Sequence, residues 1–221
     1  MTKVDPITLS VVRGVLETTQ REMTLSLEKT ARSSVLNLAR DYSTSLFNST
    51  PEMILQGQDI PIHLGSLMPA IKAVANYFAD DIQEGDLILH NDPAYNGSHI
   101  LDMCMYKPVF YEGKHVFWTV CKGHLTDVGG PIPASYNPDA KEIFAEGLRV
   151  PPIKLWEKGK QRNDILNMIL TNMRARRDQE GDFKALIGAC QLGEKNLINL
   201  INKYGLEKVN LCIEELLSMA D

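Results

Sequence analysis

An α+β fold follows from three features of this sequence. Helical and extended patterns mix in the front half, a β-hairpin stands near the middle, and helical periodicity takes over from Asn163 onward. Two parts are expected: a mixed α+β part over residues 1–160 that carries the hairpin, and a helical part over 161–221. The two could equally form one continuous domain.

Asp5-Pro6 opens the first helix, since aspartate accepts bonds from the orphan N–H groups and proline suits the first helical position. Ile7, Val11, Val15, Leu16, Met23, Leu25 and Leu27 carry its apolar stripe to about residue 32. "YSTSLFN" and "EMILQ" then read as strands around the turn "NSTP". A second helix is expected from Met68 to Phe78, followed by a turn at Gly85 and the short strand "DLILH".

The hairpin pairs "MCMYKPVFY" with "KHVFWTVCKG" across a three-residue loop, "EGK". Pro108 has no N–H to give and must occupy an edge or a bulge. A loop marked by "GGPIP" and "SYNPD" follows, then a short helix "DAKEIFAEGL" and an extended "VPPIKLWEKGK". The tail holds three helical patterns, "NDILNMILTNMRARR", "DFKALIGACQLGEKNLINLINKYG" and "LEKVNLCIEELLSMA", separated by Gly or Asp-Gln-Glu-Gly.

A net charge of −5 and a pI near 5.6 argue against nucleic acid or an acidic membrane as partner. The basic run "RARR" at 174–177 reads as a solvated helix end. The N-terminus lacks the apolar core of a signal peptide, and no run of about 18 apolar residues could span a membrane. Cys104, Cys121, Cys190 and Cys212 are widely spaced among apolar neighbours, which points to buried reduced thiols and a cytoplasmic location.

Four of the five histidines fall within residues 90–130, and two copies of H-x-x-D stand at the open end of the hairpin. Reflecting the strands about Gly113 sets Asp102 opposite His124 and His99 opposite Asp127. Opposed residues have Cβ atoms about 5 Å apart, close enough to share an ion. Such a set suits Zn²⁺, Mn²⁺ or Fe²⁺; two cross-strand salt bridges would give the same spacing. Residues three apart face opposite sides of a regular strand, so a bend at Gly97 or Gly123 is needed to aim both inward. His63, just before a helix, reads as packed or capping, His90 as structural and His115 as exposed. Ser43 and Ser45 lack a nucleophile elbow, and no P-loop occurs.

"RDYSTSLFN", "IPIHLGSLMPAI", "NDPAYNGSHILDM", "GHLTDVGG", "EIFAEGLRVPPIKL" and "ILTNMRARRDQEGDFKALIGA" together resemble the hydantoinase B family, in that family's order, from about residue 5 to 205. The family includes the B half of 5-oxoprolinase, N-methylhydantoinase and caprolactamase B subunits, and the related subunit of acetone and acetophenone carboxylases. The resemblance implies a partner A subunit that uses ATP to phosphorylate a carbonyl oxygen, while the B subunit opens the activated ring. It further implies that one divalent metal is held by His99, Asp102 and His124, with Asp41 as a further ligand. Asp127 and Asp92 are the nearest candidates by sequence for the proton-accepting carboxylate. Asn96 stands where the family usually has glycine. Family B subunits are markedly longer, so a fragment, a split subunit or a shortened member completed by another chain is expected. The implied function is ring opening of a hydantoin, oxoproline or lactam; ketone carboxylation and a non-catalytic scaffold are the alternatives.

Overall fold

In the computed structural model, which describes residues 4–60 and 62–219, one antiparallel sheet organises the chain. Its seven strands run in the order β2-β1-β5-β4-β3-β6-β7. They are β1 (Tyr42–Asn48), β2 (Met53–Gln56), β3 (Leu87–His90), β4 (Asp102–Tyr111), β5 (Lys114–His124), β6 (Ile153–Glu157) and β7 (Lys160–Gln161). The helices are α1 (Pro6–Thr30), α2 (Ser34–Asn37), α3 (Ile62–Phe78), α4 (Asn163–Thr171), α5 (Arg176–Tyr204) and α6 (Leu206–Ser218).

The expected N-cap is present: Asp5 accepts from the Thr8 N–H at 2.8 Å. The buried stripe of α1 is Val12, Leu16, Thr19, Gln20, Met23 and Leu27, a helical spacing of three and four. Ile7, Val11 and Leu25, expected on that stripe, are exposed, because residues adjacent in a helix lie about 100° apart and one face alone meets the core. Helix α3 starts six residues before the expected Met68. Pro69 disfavours a helical residue ahead of it, yet burial of His63 and Leu67 on one face overrides that bias.

At the hairpin tip only Glu112 and Gly113 are unpaired, with φ of 49° and 74°, the two positive values of a type I′ turn. The expected three-residue loop is therefore a two-residue one. Val109 pairs with Phe117 but Phe110 with His115, so Val116 is a bulge. The shorter turn and the bulge cancel, and Asp102 still faces His124. Pro108 lies next to this bulge, beyond Tyr106, the last β4 residue paired with β3.

Two other expectations fail for identifiable reasons. The helix "DAKEIFAEGL" is reduced to one 3-10 turn, Ile143–Ala145. Beyond it the backbone turns to pair elsewhere, Leu148 N–H donating to the Val128 carbonyl at 2.7 Å. Helix α5 runs straight through Asp-Gln-Glu-Gly: Gln179 is buried and donates to the Asp127 carbonyl, and Asp182 accepts from the N–H groups of Arg32 and Ser33 at 2.7 and 3.0 Å. The break falls instead after Thr171. Nor is "RARR" merely solvated, since Arg174 binds the Asp127 carboxylate at 2.9 Å and the Gly130 carbonyl at 2.6 Å.

Helices α1, α5 and α6 cover one sheet face, where Leu16, Met23, Met105, Leu186, Leu197 and Ile213 share a core. Gly193 lets α5 lie close to α1 and β5, since an added Cβ would lie 2.5 Å from Met23 Sδ and 2.8 Å from Thr119 Cγ2. Helix α3 covers the other face, with Leu67, Ile71 and Val74 on Ile88, Tyr106, Trp118 and Val120. Each such side chain contributes about 1.5–3 kcal/mol through burial. All four cysteines are free and buried, as expected. No helix among the described residues is long and apolar enough to cross a membrane.

Candidate metal centre

Sheet register assembles the site at one end of the α3-covered face. Asp102 on β4 pairs with His124 on β5, and β1 pairs with β5 through Tyr42 opposite Gly123. Asp41, immediately before β1, therefore arrives beside His124, whose N–H donates to the Asp41 carbonyl at 3.0 Å. The next row on the same face is Ser43, Lys122, Cys104 and His90, carried by four neighbouring strands.

His99 reaches the site from outside the sheet. The Asp102 N–H donates to the His99 carbonyl at 3.0 Å, so this H-x-x-D is a tight turn leading into β4. That removes the strand-parity difficulty without the expected bend at Gly123, which is an ordinary ladder residue packed against Leu36 and Leu186. Gly97 does serve the approach, since a Cβ there would lie 2.7 Å from the Asn91 carbonyl oxygen. Asn96 holds φ 64° at the preceding corner, a left-handed conformation that Asn tolerates in place of glycine.

Asp102 is the hub. Its Oδ2 lies 3.0 Å from His99 Nδ1 and 2.9 Å from Lys122 Nζ, its Oδ1 lies 3.2 Å from His124 Nδ1, and Ser98 Oγ donates to Oδ2. Asp41 Oδ2 is 3.8 Å from His124 Nδ1. Burial pushes the Asp102 carboxyl up, but His124, His99, Lys122 and Ser98 outweigh it and hold it well below the usual carboxylate range. The bond to Asp102 raises the His99 imidazole in turn. One ligand atom from each of His99, Asp102 and His124 fits within 4.8 Å of the others. Atoms ligating one tetrahedral Zn²⁺ stand about 3.3 Å apart, so separations of 3.0 and 3.2 Å suit a shared ion. His99 is half exposed while Asp102 is 2% exposed, which leaves the cluster open on the His99 side.

His63, expected as a packing or capping residue, belongs to this cluster. Its Nδ1 is 2.9 Å from Ser43 Oγ, and its Nε2 is 3.7 Å from both Asp41 Oδ1 and Asp102 Oδ2. Burial lowers its imidazole, with Lys122 adding to the effect against the two carboxylates. Ser43 is fully buried, so it orients His63 and presents no hydroxyl to a substrate. Lys122, which sequence reasoning passed over, directly follows the largely apolar run Val116–Cys121 within a strand, and a charge at that place was its only signal.

The other predicted residues lie apart from this network. Asp127 does not face His99: it accepts from Gly129 N–H, Ala134 N–H and Arg174. Burial raises its carboxyl, and these donors reverse the shift to a net lowering. Asp92 accepts from Ala94 N–H and is clamped by the Arg149 guanidinium at 2.9 Å. His90 is buried against Tyr106. His115, expected to be exposed, bonds the Phe117 carbonyl and packs edge-on against Trp118.

Comparison with known proteins places these motifs in context. The hydantoinase B/oxoprolinase family model matches residues 5–221. Caprolactamase subunit beta of Pseudomonas jessenii is 70% identical over all of this chain, which spans 38% of that subunit's length. A crystal structure of the ATP-dependent caprolactamase from Pseudomonas jessenii superposes with a TM-score of 0.95 over 99% of this chain and 38% of its own, at 70% identity. A nucleotide-free acetone carboxylase structure shares the fold, with a TM-score of 0.87 at 22% identity over 95% of this chain and 28% of its own.

Proposed function

Because the chain belongs to the hydantoinase B/oxoprolinase family, we propose that it carries the metal centre of a B-type subunit in an ATP-dependent cyclic-amide hydrolase. The observation that carries this is the convergence of His99, Asp102 and His124 on one point, with Asp41 alongside. A bound Zn²⁺, Mn²⁺ or Fe²⁺ would supply Lewis acidity and bring the pKa of a bound water toward neutrality. The protein's own part is to position the donors: the turn at His99, the ladder pair at Asp102 and His124, and His63 aimed between both carboxylates. Asp127 or Asp92 could take a proton only by leaving Arg174 or Arg149 as substrate binds.

The substrate class is a lactam, hydantoin or oxoproline ring activated by phosphorylation, with ATP used by an A-type partner subunit. The caprolactamase relative is a beta subunit, which supports the need for a partner. A ketone-carboxylase role has the fold likeness to acetone carboxylase in its favour. Four buried free thiols fit a reducing compartment, and the cytoplasm is our assignment.

The test is metal content. Elemental analysis after dialysis without chelator should find close to one divalent transition metal per chain, and Asp102→Ala or His124→Ala should abolish it while His115→Ala retains it. A wild-type protein that holds no metal and takes up neither Zn²⁺ nor Mn²⁺ leaves only the salt-bridge reading.

A further inference from the structure

Beside the donor cluster lies a charge that holding a metal does not require. Lys122 is 1% exposed, and its Nζ stands 2.9 Å from Asp102 Oδ2 and 2.8 Å from Ser66 Oγ, with Ser98 Oγ as a third partner. No solvent shields it, and burying an ammonium costs several kcal/mol unless its partners compensate. Its position in β5 is flanked on the same sheet face by Ser43 and Cys104, so a neutral side chain would fit the row. Two carboxylates, Asp41 and Asp102, with neutral imidazoles give the donor set two negative charges, which a divalent ion would cancel. With Lys122 counted, the loaded centre keeps one net positive charge.

We propose that Lys122 is a fixed counter-charge that loosens metal binding and keeps the loaded centre cationic, so that it accepts an anionic, phosphate-bearing substrate. The inference rests on the metal-centre reading above and gives Lys122 a part in how that centre binds its metal and its substrate. Lys122 is a positioning residue in this scheme, acting through Asp102. A purely structural role makes the opposite forecast: if the ammonium only held Asp102 in place, removing it would weaken metal binding.

Isothermal titration of the purified chain with Zn²⁺ and Mn²⁺, and of the metal-loaded chain with inorganic phosphate, separates the two. Lys122→Met should bind metal about tenfold more tightly or better, because a like charge a few ångströms away has been removed. Its loaded form should lose the phosphate binding of the wild type, while Lys122→Arg keeps both wild-type values. Should Lys122→Met not fold, Lys122→Gln, which is polar but neutral, carries the same expectation. Metal affinity that is unchanged or weaker in a folded neutral variant overturns the proposal while leaving the metal centre standing. Wild type that takes up no metal overturns both.

Discussion

Asp41 meets the cluster through three atoms: its carbonyl oxygen accepts from His124 N–H, its Oδ2 lies 3.8 Å from His124 Nδ1 and its Oδ1 lies 3.7 Å from His63 Nε2. As a ligand it must be anionic, so Asp41→Asn should weaken metal affinity about tenfold or more, because an amide is a poor donor to a divalent ion. An aspartate that merely stabilised a turn would tolerate Asn almost without loss. Titration calorimetry on the one variant therefore decides its role. Spacing along the chain could not reveal Asp41, which lies far from His99 in sequence and adjoins His124 only through the β1–β5 register. His63 was hidden for a different reason: its helix begins earlier than Pro69 suggests, so its position on the buried face was misplaced. His90 makes a separate prediction. Burial pushes its imidazole from 6.5 down to about 4. The unfolded chain thus takes up this proton before the folded chain does, and the stability due to a neutral His90 is full above pH 6.5 and fades as pH falls toward 4. The loss amounts to about 3 kcal/mol at the acid end. Melting temperatures of His90→Leu should fall less steeply than wild type across that window; parallel curves would remove His90 from the acid response.

Within elements, the hairpin shows which parts of a sequence are legible. The strands, their polarity and the Asp102–His124 pairing follow from β-rich runs about a glycine. The turn length and the bulge do not, because each depends on how the tip twists, and the pairing came out right since their errors cancel. The two H-x-x-D copies look alike in sequence, yet one is a turn feeding a strand and the other ends in an aspartate locked to Arg174. Deleting Val116 tests the register. Val116 is the residue the ladder leaves unpaired, so its removal regularises the strand and keeps Asp102 opposite His124. Metal binding should then survive in a protein that keeps its far-UV circular dichroism. Lost binding would mean that the tip re-pairs, since a one-residue slip exchanges the two faces of a strand.

Across the whole molecule, the helical tail was legible as helices but not as a cover. Where α5 lies depends on Gly193 meeting Met23 and Thr119, a contact between distant segments that no local pattern announces. The unequal covering of the two sheet faces has a further consequence. Three helices interlock over one face, while α3 is the helix over the other, held by Leu67, Ala70, Ile71 and Val74. Stability is then distributed unevenly, and the lightly held element opens first in local fluctuations. Amide hydrogen exchange should accordingly run faster in α3 than in the buried turns of α1 and α5, and metal loading should slow it. Equal protection of all three helices would contradict this. The segment that breathes most readily is the one bearing His63 and Ser66, so the same excursion that draws His63 away from the two carboxylates frees Lys122 from Ser66.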